Sequence, residues 1–484
     1  MPHPLNVLVL MSDEHNPQFL GCAGHPFILT PHLDRLAARG TRFTQAYTTS
    51  PICVPARAGF ATGRYAHEIG FWDNGDAYDG TVPSWHHVLR GAGHTVVSIG
   101  KLHFRGRSGD DHGFGQELLP MHVIDGIGDV KGLVRDNIPV RKGGDKMAKL
   151  AGPGESTYTH YDRQISTAAC DWLMQRARPQ ADTKPWVLFV SMVAPHFPLT
   201  APPAWYEHYA ALDLPLPKLY RPEVRPHHPF TDEYARVVDY GPHFHNDADV
   251  RRAIAGYSGL VSFMDQQMGQ VLAALDAAGL SENTLVLYTS DHGDNLGARG
   301  LWGKSTLYEE SAGVPLMLAG PGIDRGQLVD TPASHVDCAV TILEAAGAPA
   351  LPLASGHSLI DLAHGGLASR PVLSEYHAIG STSGATMYRF GPWKYCHYVG
   401  HPAQLFHLEN DPQELHDLAT EPGAQDALRA CEVSLRSHLD PEAVDRRAKQ
   451  RQQQLLTGFG GRDAALARGD LGFTPAPGTA PAFN

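Results

Sequence analysis

Five short apolar runs punctuate the chain: NVLVLM (6–11), TVVSIG (95–100), WVLFVSMVA (186–194), TLVLYTS (284–290) and VPLMLAG (314–320). None alternates polar with apolar residues, as a half-exposed strand would. Each reads as a strand covered on both faces, which is the environment of a parallel sheet. Helix-length stretches separate the runs. In 251–279, Ile254, Tyr257, Leu260, Val261, Met264, Met268, Val271, Leu272 and Leu275 share one face, and Gly279 ends the pattern. Buried strands alternating with amphipathic helices predict an α/β fold, a large and mostly parallel sheet sandwiched by helices.

The pattern changes near residue 365. ATMYRFGPWKYCHYVG and AQLFHLEN read as short aromatic-rich strands joined by a Gly-Pro turn, and DPQELHDLA reads as the opening of a helix. We therefore expect a catalytic α/β domain over 1–365 and a small antiparallel sheet plus helix over 366–454. The tail, 455–484, is rich in Gly, Pro and Ala. Such a tail is expected either to be disordered or to lie along a neighbouring subunit of a homo-oligomer. Segments 104–165 and 198–248 read as long loops over one end of the sheet, with His227, His228, His243 and His245 as solvated loop residues.

Composition excludes several classes. Hydrophobic residues are 42% and charged residues 19% of the 484, an ordinary globular balance. No run approaches eighteen apolar residues, so no membrane-spanning helix is predicted. The start, MPHPLNVLVLMSDEH, lacks a basic leader and reads as a first strand, which predicts a cytoplasmic protein. A net charge of −12 and the absence of a long basic run argue against a nucleic-acid partner. The six cysteines form no CxxC pair, which argues against a disulfide scaffold or a zinc cluster.

In an open parallel sheet, ligands bind beyond the carboxyl ends of the strands. Four of the predicted strands run there into reactive side chains: Asp13 and Glu14, Lys101 and His103, His196, and Asp291 and His292. One such ending is unremarkable; four predict one convergent site. Asp13, Asp291 and His292 form a hard, oxygen-rich set with one imidazole, suited to Ca²⁺, Mg²⁺ or Mn²⁺. Taken singly, each aspartate would serve equally well as a helix N-cap, and Glu14 is either a fourth ligand or a helix-start acid. In SPICVPARAGFATGRY (50–65), Cys53 precedes Pro55 at the predicted start of a helix. The positive helix end favours an anionic nucleophile or a bound anion there, with Arg57 one turn on. A buried structural cysteine beside a solvated arginine is the alternative.

Cys53-Val54-Pro55-Ala56-Arg57 matches the C-x-P-x-R sulfatase motif, in which the cysteine is oxidised to formylglycine. NVLVLMSDEH, TPHLDRLAARGTRFTQAYTTSPICVPAR, SIGKLHF, APHFP, GLVSFMDQQMGQVLAALDAAGL, TSDHGDNLGARGLWGKSTLYEESAGVPLML and QLFHLENDPQELHDLA resemble further sulfatase blocks, in order. The chain thus resembles the formylglycine-dependent sulfatases of the alkaline phosphatase superfamily. That resemblance implies an alkaline-phosphatase-like fold and a formylglycine-generating enzyme as maturation partner. It also implies one divalent metal on Asp13, Asp291, His292 and the formylglycine from Cys53. Arg57, Lys101 and His103 would hold the formylglycine hydrate. Lys304 and His196 would contact the sulfate, one of them protonating the leaving oxygen. One hydroxyl of the hydrate would attack sulfur, and the other, deprotonated by His103, would then expel sulfate as the aldehyde re-forms.

The metal pair is Asp-His, where many calcium arylsulfatases have Asp-Asn, and imidazole tilts the choice toward Mn²⁺. Position 56 is Ala, where many sulfatases have Ser. RPVLSEYHAIG, MYRFGPWKYCHYVG, Asp73-Asn74 and the HGF at 112–114 resemble choline sulfatases, which implies that Asn74 and Glu375 contact the alkyl or cationic part of a substrate. Choline needs an aromatic face, and no Trp stands between 86 and 171, so Trp72 or a tyrosine would have to supply one. For Glu375, a salt bridge or cap is the alternative. The expected activity is hydrolysis of a small alkyl or aryl sulfate, choline sulfate among the candidates. A phosphonate monoester or phosphodiester hydrolase and a silent anion-binding protein are the rivals; Lys101 and His103 speak against the first.

Overall fold

The computed structural model describes residues 3–177, 184–367 and 369–484. Its main sheet has eight strands: β1 (Asn6–Asp13), β2 (Thr41–Phe43), β3 (Val96–Lys101), β4 (Gln116–Met121), β5 (Val187–Pro195), β6 (Thr284–Ser290), β7 (Leu316–Ala319) and β8 (Gln327–Val329), in the order β8-β2-β7-β6-β1-β5-β3-β4. β1 pairs in parallel with β5 and β6, and β3 in parallel with β5 and β4. β7 runs antiparallel to β6 and β2, a local exception to the expected parallel order.

Alternation along each strand feeds two cores. Val7, Val9, Val187, Phe189, Leu285 and Leu287 point to one face, where Phe60 and Ala61 of α1 (Cys53–Thr62) join them. Leu8, Leu10, Leu188 and Val190 point to the other, against α2 (Thr157–Arg176) and α3 (Asp247–Ala277). Each fully buried Val or Leu contributes about 1.5–3 kcal/mol, so non-alternating runs are stable only when both faces are covered. The helix expected at 251–279 begins one turn earlier, where Asn246 Oδ1 accepts the Asp249 N–H at 3.1 Å. α4 (His335–Ala346) packs on the α1 face. Among the described residues no helix is long and apolar enough to cross a membrane.

The C-terminal region forms a four-stranded antiparallel meander, β9 (Val372–Tyr376), β10 (Ala385–Phe390), β11 (Trp393–Tyr398) and β12 (Gln404–His407). The helix expected at DPQELHDLA is absent. That stretch stays irregular, with Asp411 and Asp417 accepting backbone N–H groups in turns, and α5 starts only at Gln425 (Gln425–His438). The boundary expected at 454 falls inside α6 (Pro441–Phe459), and α7 (Arg462–Ala467) follows. The tail thus folds back on its own chain. Asp470 pairs with Lys131 at 2.5 Å and Arg141 at 3.0 Å, and the Tyr158 hydroxyl donates to the Thr474 carbonyl. The two loop regions also carry structure, including β4 and the first turns of α2. His228 is buried there, its Nε2 2.8 Å from the Pro402 carbonyl, whereas His227 and His245 are exposed.

Parallel strands end on the same edge of a sheet, and here β1, β3, β5 and β6 deliver their last residues to one place. Bulges steer two of them, with register shifts between Met11 and Asp13 and between Ile99 and Lys101. Gly100 makes the second possible. Its φ is +105°, and a Cβ there would stand 2.1 Å from the Ser191 carbonyl oxygen on β5. Gly100→Ala is expected to destabilise the fold by about 2–4 kcal/mol, since it adds backbone strain to a clash with main chain. Urea titration checks this, and an unchanged midpoint would refute the steric argument.

Candidate active site

Cys53 is the first residue of α1, and its thiol is buried where the strand ends converge. Sγ lies 3.2 Å from His292 Nε2, 3.3 Å from Lys304 Nζ, 3.8 Å from Asp13 Oδ1 and 4.0 Å from Lys101 Nζ. Asn74 Oδ1 accepts the Val54 N–H at 3.1 Å, so Asn74 fixes the helix end beneath the nucleophile as well as lining the cavity. Sequence reasoning expected the helix end to favour an anion at the thiol. Instead burial, with Asp13 beside it, pushes the Cys53 thiol up to about 12. An unmodified cysteine here is protonated at neutral pH and a poor nucleophile.

Asp13 and Asp291 are both fully buried, and Arg57 joins them. Its Nε donates to Asp291 Oδ2 at 2.8 Å and its Nη2 to Asp13 Oδ2 at 3.0 Å, while Nη1 donates to the Lys101 carbonyl and Ser191 Oγ. Lys101 Nζ adds a second cation, 2.5 Å from Asp13 Oδ2. Burial alone would raise the Asp13 carboxyl; Lys101, and with it Arg57, holds it well below the usual range. These cations occupy the Oδ2 atoms, leaving Asp13 Oδ1 on the side of Cys53. Asp291 Oδ1 accepts the backbone N–H groups of Glu14 and His292. His292 Nδ1 is 3.0 Å from the Gly293 carbonyl, which holds the proton on Nδ1 and leaves Nε2 a bare lone pair aimed at Cys53.

This donor set fits a divalent ion. Asp13, Cys53, Asp291 and His292 each offer a ligand atom within 4.8 Å of the others, and all four are buried. Two carboxylates and one imidazole suit Ca²⁺, Mg²⁺ or Mn²⁺.

Lys304 Nζ lies 2.8 Å from His196 Nε2 and 3.1 Å from Glu14 Oε2. His196 Nδ1 is 2.7 Å from the Phe197 carbonyl, so Nε2 is the acceptor. Burial, with Lys304 next, holds the His196 pKa well below its ordinary value. Burial pushes Glu14 up to about 8, and Glu14 also shares a hydrogen bond with Asp294. His103 reaches the cavity with both ring nitrogens free of hydrogen bonds, and burial, then Lys101 and Arg57, lowers its pKa well below the ordinary value. Glu14, His103 and Ser305 take φ of 68°, 53° and 76°, a left-handed backbone that ordinary side chains adopt at a cost of about 1–3 kcal/mol each.

The structure brings together Asp13, Glu14, Cys53, Arg57, Lys101, His103, His196, Asp291, His292 and Lys304, with Asn74 beside them. Glu375 stands apart on β9. Its Oε1 lies 2.8 Å from His67 Nδ1 and its Oε2 3.6 Å from His377 Nε2, and it does not line the cavity. Trp72 is likewise outside the cavity lining, packed on His377. Sequence reasoning missed Asp162, whose carboxylate accepts the Val193 and Ala194 N–H groups at 2.8 Å each and so fixes the approach to His196. It also missed the outer cavity wall, formed by Asp129, Arg141, Lys142, Lys146, Tyr240 and Phe473. These come from loops and the tail, where no periodicity marks them.

The model of the Sulfatase family matches residues 5–348, and that of the N-sulphoglucosamine sulphohydrolase C-terminal region matches 297–440. The chain is 33% identical to the choline-sulfatase of Rhizobium meliloti (strain 1021) over 458 residues, 92% of this chain and 89% of that one. It is 29% identical to arylsulfatase K of Danio rerio over 478 residues, 93% of this chain and 87% of that one. The phosphonate monoester hydrolase of Agrobacterium radiobacter superposes with a TM-score of 0.71 at 20% identity, covering 90% of this chain and 95% of that one, a likeness of fold. On this match and on the buried site at the strand ends, the chain belongs to the sulfatase family, as a sulfuric ester hydrolase on an alkaline-phosphatase-like fold.

Proposed function

We propose that this chain hydrolyses a small sulfate monoester to its alcohol or phenol and inorganic sulfate, with residue 53 as the nucleophile. The observation that carries the reading is the meeting of Asp13, Asp291, His292 and Cys53 with the cations Arg57, Lys101 and Lys304 at one buried point. When bound on the first four residues, a divalent metal supplies positive charge for the ester oxygens, and formylglycine at position 53 supplies a hydroxyl nucleophile as its hydrate.

The surrounding residues divide the remaining work. Lys101 and Arg57 keep Asp13 ionised, and Arg57 acts through the two aspartates rather than on residue 53 itself. Lys304 is the better proton donor to the leaving oxygen. Although burial opposes it, the ionised carboxylates Asp13 and Asp291 hold its pKa well above the ordinary value, so it carries a proton at neutral pH, while His196 stays neutral and accepts from it. His103, with two free ring nitrogens on the cavity, is suited to take the proton of the second hydroxyl.

On the outer wall Arg141 is paired with both Asp129 and Asp470, and Lys142 and Lys146 add two further cations beside the rings of Phe197, Tyr240 and Phe473. The rings would serve the flat face that choline requires, but the charge balance favours a neutral or anionic leaving group over a quaternary ammonium. We therefore rank small aryl and alkyl sulfates ahead of choline sulfate.

Four outcomes follow. In the proteolytic peptide carrying Cys53, mass spectrometry should find sulfur replaced by a carbonyl oxygen, and kcat/KM on an aryl sulfate should exceed that on the matched phosphonate monoester at least ~100-fold. An unmodified thiol with full activity would refute the nucleophile, and a reversed preference would favour the phosphonate reading. Lys304→Met should cost about 10²–10⁴ in kcat on an alkyl sulfate and much less on nitrophenyl sulfate, whose leaving oxygen needs no proton. Equal losses on both esters would move the acid role elsewhere. Arg57→Ala leaves two buried carboxylates facing each other, and urea titration in chelator should read a loss of about 3–5 kcal/mol.

A further inference from the structure

A second cluster of metal-ligating side chains lies outside the catalytic machinery. The Glu117 carboxylate bridges two imidazoles, with Oε1 3.0 Å from His112 Nδ1 and Oε2 3.2 Å from His122 Nε2. The two rings are 5.2 Å apart between centroids. We propose that His112, Glu117 and His122 form a second, structural metal site of the zinc type.

Three observations support it. The first is geometric. Metal–nitrogen and metal–oxygen bonds of about 2.0–2.2 Å across a tetrahedral angle put neighbouring donor atoms about 3.3 Å apart, and two imidazole centroids about 5.2 Å apart. The two nitrogen–oxygen contacts, at 3.0 and 3.2 Å, and the ring spacing, at 5.2 Å, are close to those values, and the three groups offer ligand atoms within 4.8 Å of one another. The second is the donor set. Two imidazoles and one carboxylate match zinc, in contrast to the oxygen-rich catalytic site. The third is charge. Both oxygens of the Glu117 carboxylate face imidazole nitrogens, of His112 and of His122. Among the described residues no Lys or Arg pairs with it, and a dication would supply the permanent counter-charge that it lacks. The His112 side chain is 4% exposed, Glu117 24% and His122 20%, which leaves one side open for entry and for a water as fourth ligand.

The site would have a purpose in the fold. His112 comes from the loop that follows His103, and Glu117 and His122 come from the edge strand β4 and the residue after it. His103 N–H donates to the Met121 carbonyl at 2.8 Å, and the Phe104 ring packs on His112. An ion held by the three residues would clamp the loop to β4 and so fix the strained backbone that aims His103.

The experiment separates this site from the catalytic one. The full chain carrying Asp13→Asn and His292→Ala is loaded with Zn²⁺ and freed of excess by gel filtration, then read by metal analysis and zinc K-edge X-ray absorption. One zinc per chain with scattering from two imidazoles is expected. Loss of zinc on the column, or oxygen-only coordination, would overturn the proposal. Adding His122→Gln to that variant should leave no bound zinc. Retention of one zinc by that variant would equally overturn it. Circular dichroism in chelator establishes that His122→Gln is folded; if it is not, Glu117→Gln replaces it with the same expectation.

Discussion

Two ionised carboxylates buried side by side repel one another by several kcal/mol at the effective dielectric of a protein interior. Asp13 and Asp291 share a site because the Arg57 guanidinium spans them, one nitrogen to each, with its third nitrogen tied to the Lys101 carbonyl and Ser191. The fork is rigid, so it fixes the spacing of the two aspartates as well as their charge. Lys101 completes the compensation on Asp13. Everything around the nucleophile is referred to this frame, including the Asp13 oxygen that is left facing Cys53. The arginine of the C-x-P-x-R motif thus has a structural reason for standing one turn after the cysteine: that spacing brings it under the nucleophile, between the ends of β1 and β6.

The same frame explains the state of residue 53. A dry pocket with an ionised aspartate close by pushes the thiol up to about 12, despite the lysines and the helix end. The environment that is hostile to a thiolate suits an uncharged side chain that ionises only against added positive charge. Under the proposed reading the chemistry depends on conversion of residue 53, and the cations Lys101 and Lys304, 4.0 and 3.3 Å from its Sγ, supply positive charge for an anionic ester. Farther out, the cavity changes character. Asp470 anchors the tail through Lys131 and Arg141, and that anchoring brings Phe473 to the wall opposite His196's neighbour Phe197. The outer wall is therefore assembled from segments far apart in the chain.

How much of this was legible in the sequence depends on whether a local pattern reports it. The five buried strands, the long amphipathic helix and the convergence of Asp13, Lys101, His196 and Asp291 were legible, because a non-alternating run means two covered faces and parallel strands must end together. The antiparallel β7 was not, since a fully buried strand reads the same in either direction. The irregular stretch at DPQELHDLA looked like a helix start because Asp and Glu serve turns and caps alike. Asn74 and Glu375 carried equal weight in the sequence, yet one sits beneath the nucleophile and the other pairs with His67 on β9.

The sequence by itself determined the fold class and picked out Cys53 and its candidate metal-binding neighbours, because each depends on short-range order: periodicity within a strand, or a few residues at fixed spacing. Only the tertiary structure decided that Arg57 serves the aspartates, that Lys304 and His196 form one proton-sharing pair, and that the tail walls the cavity. Those facts rest on distances between residues more than a hundred positions apart in several cases. Burial and charge at such distances are properties of the folded interior, and no local pattern encodes them.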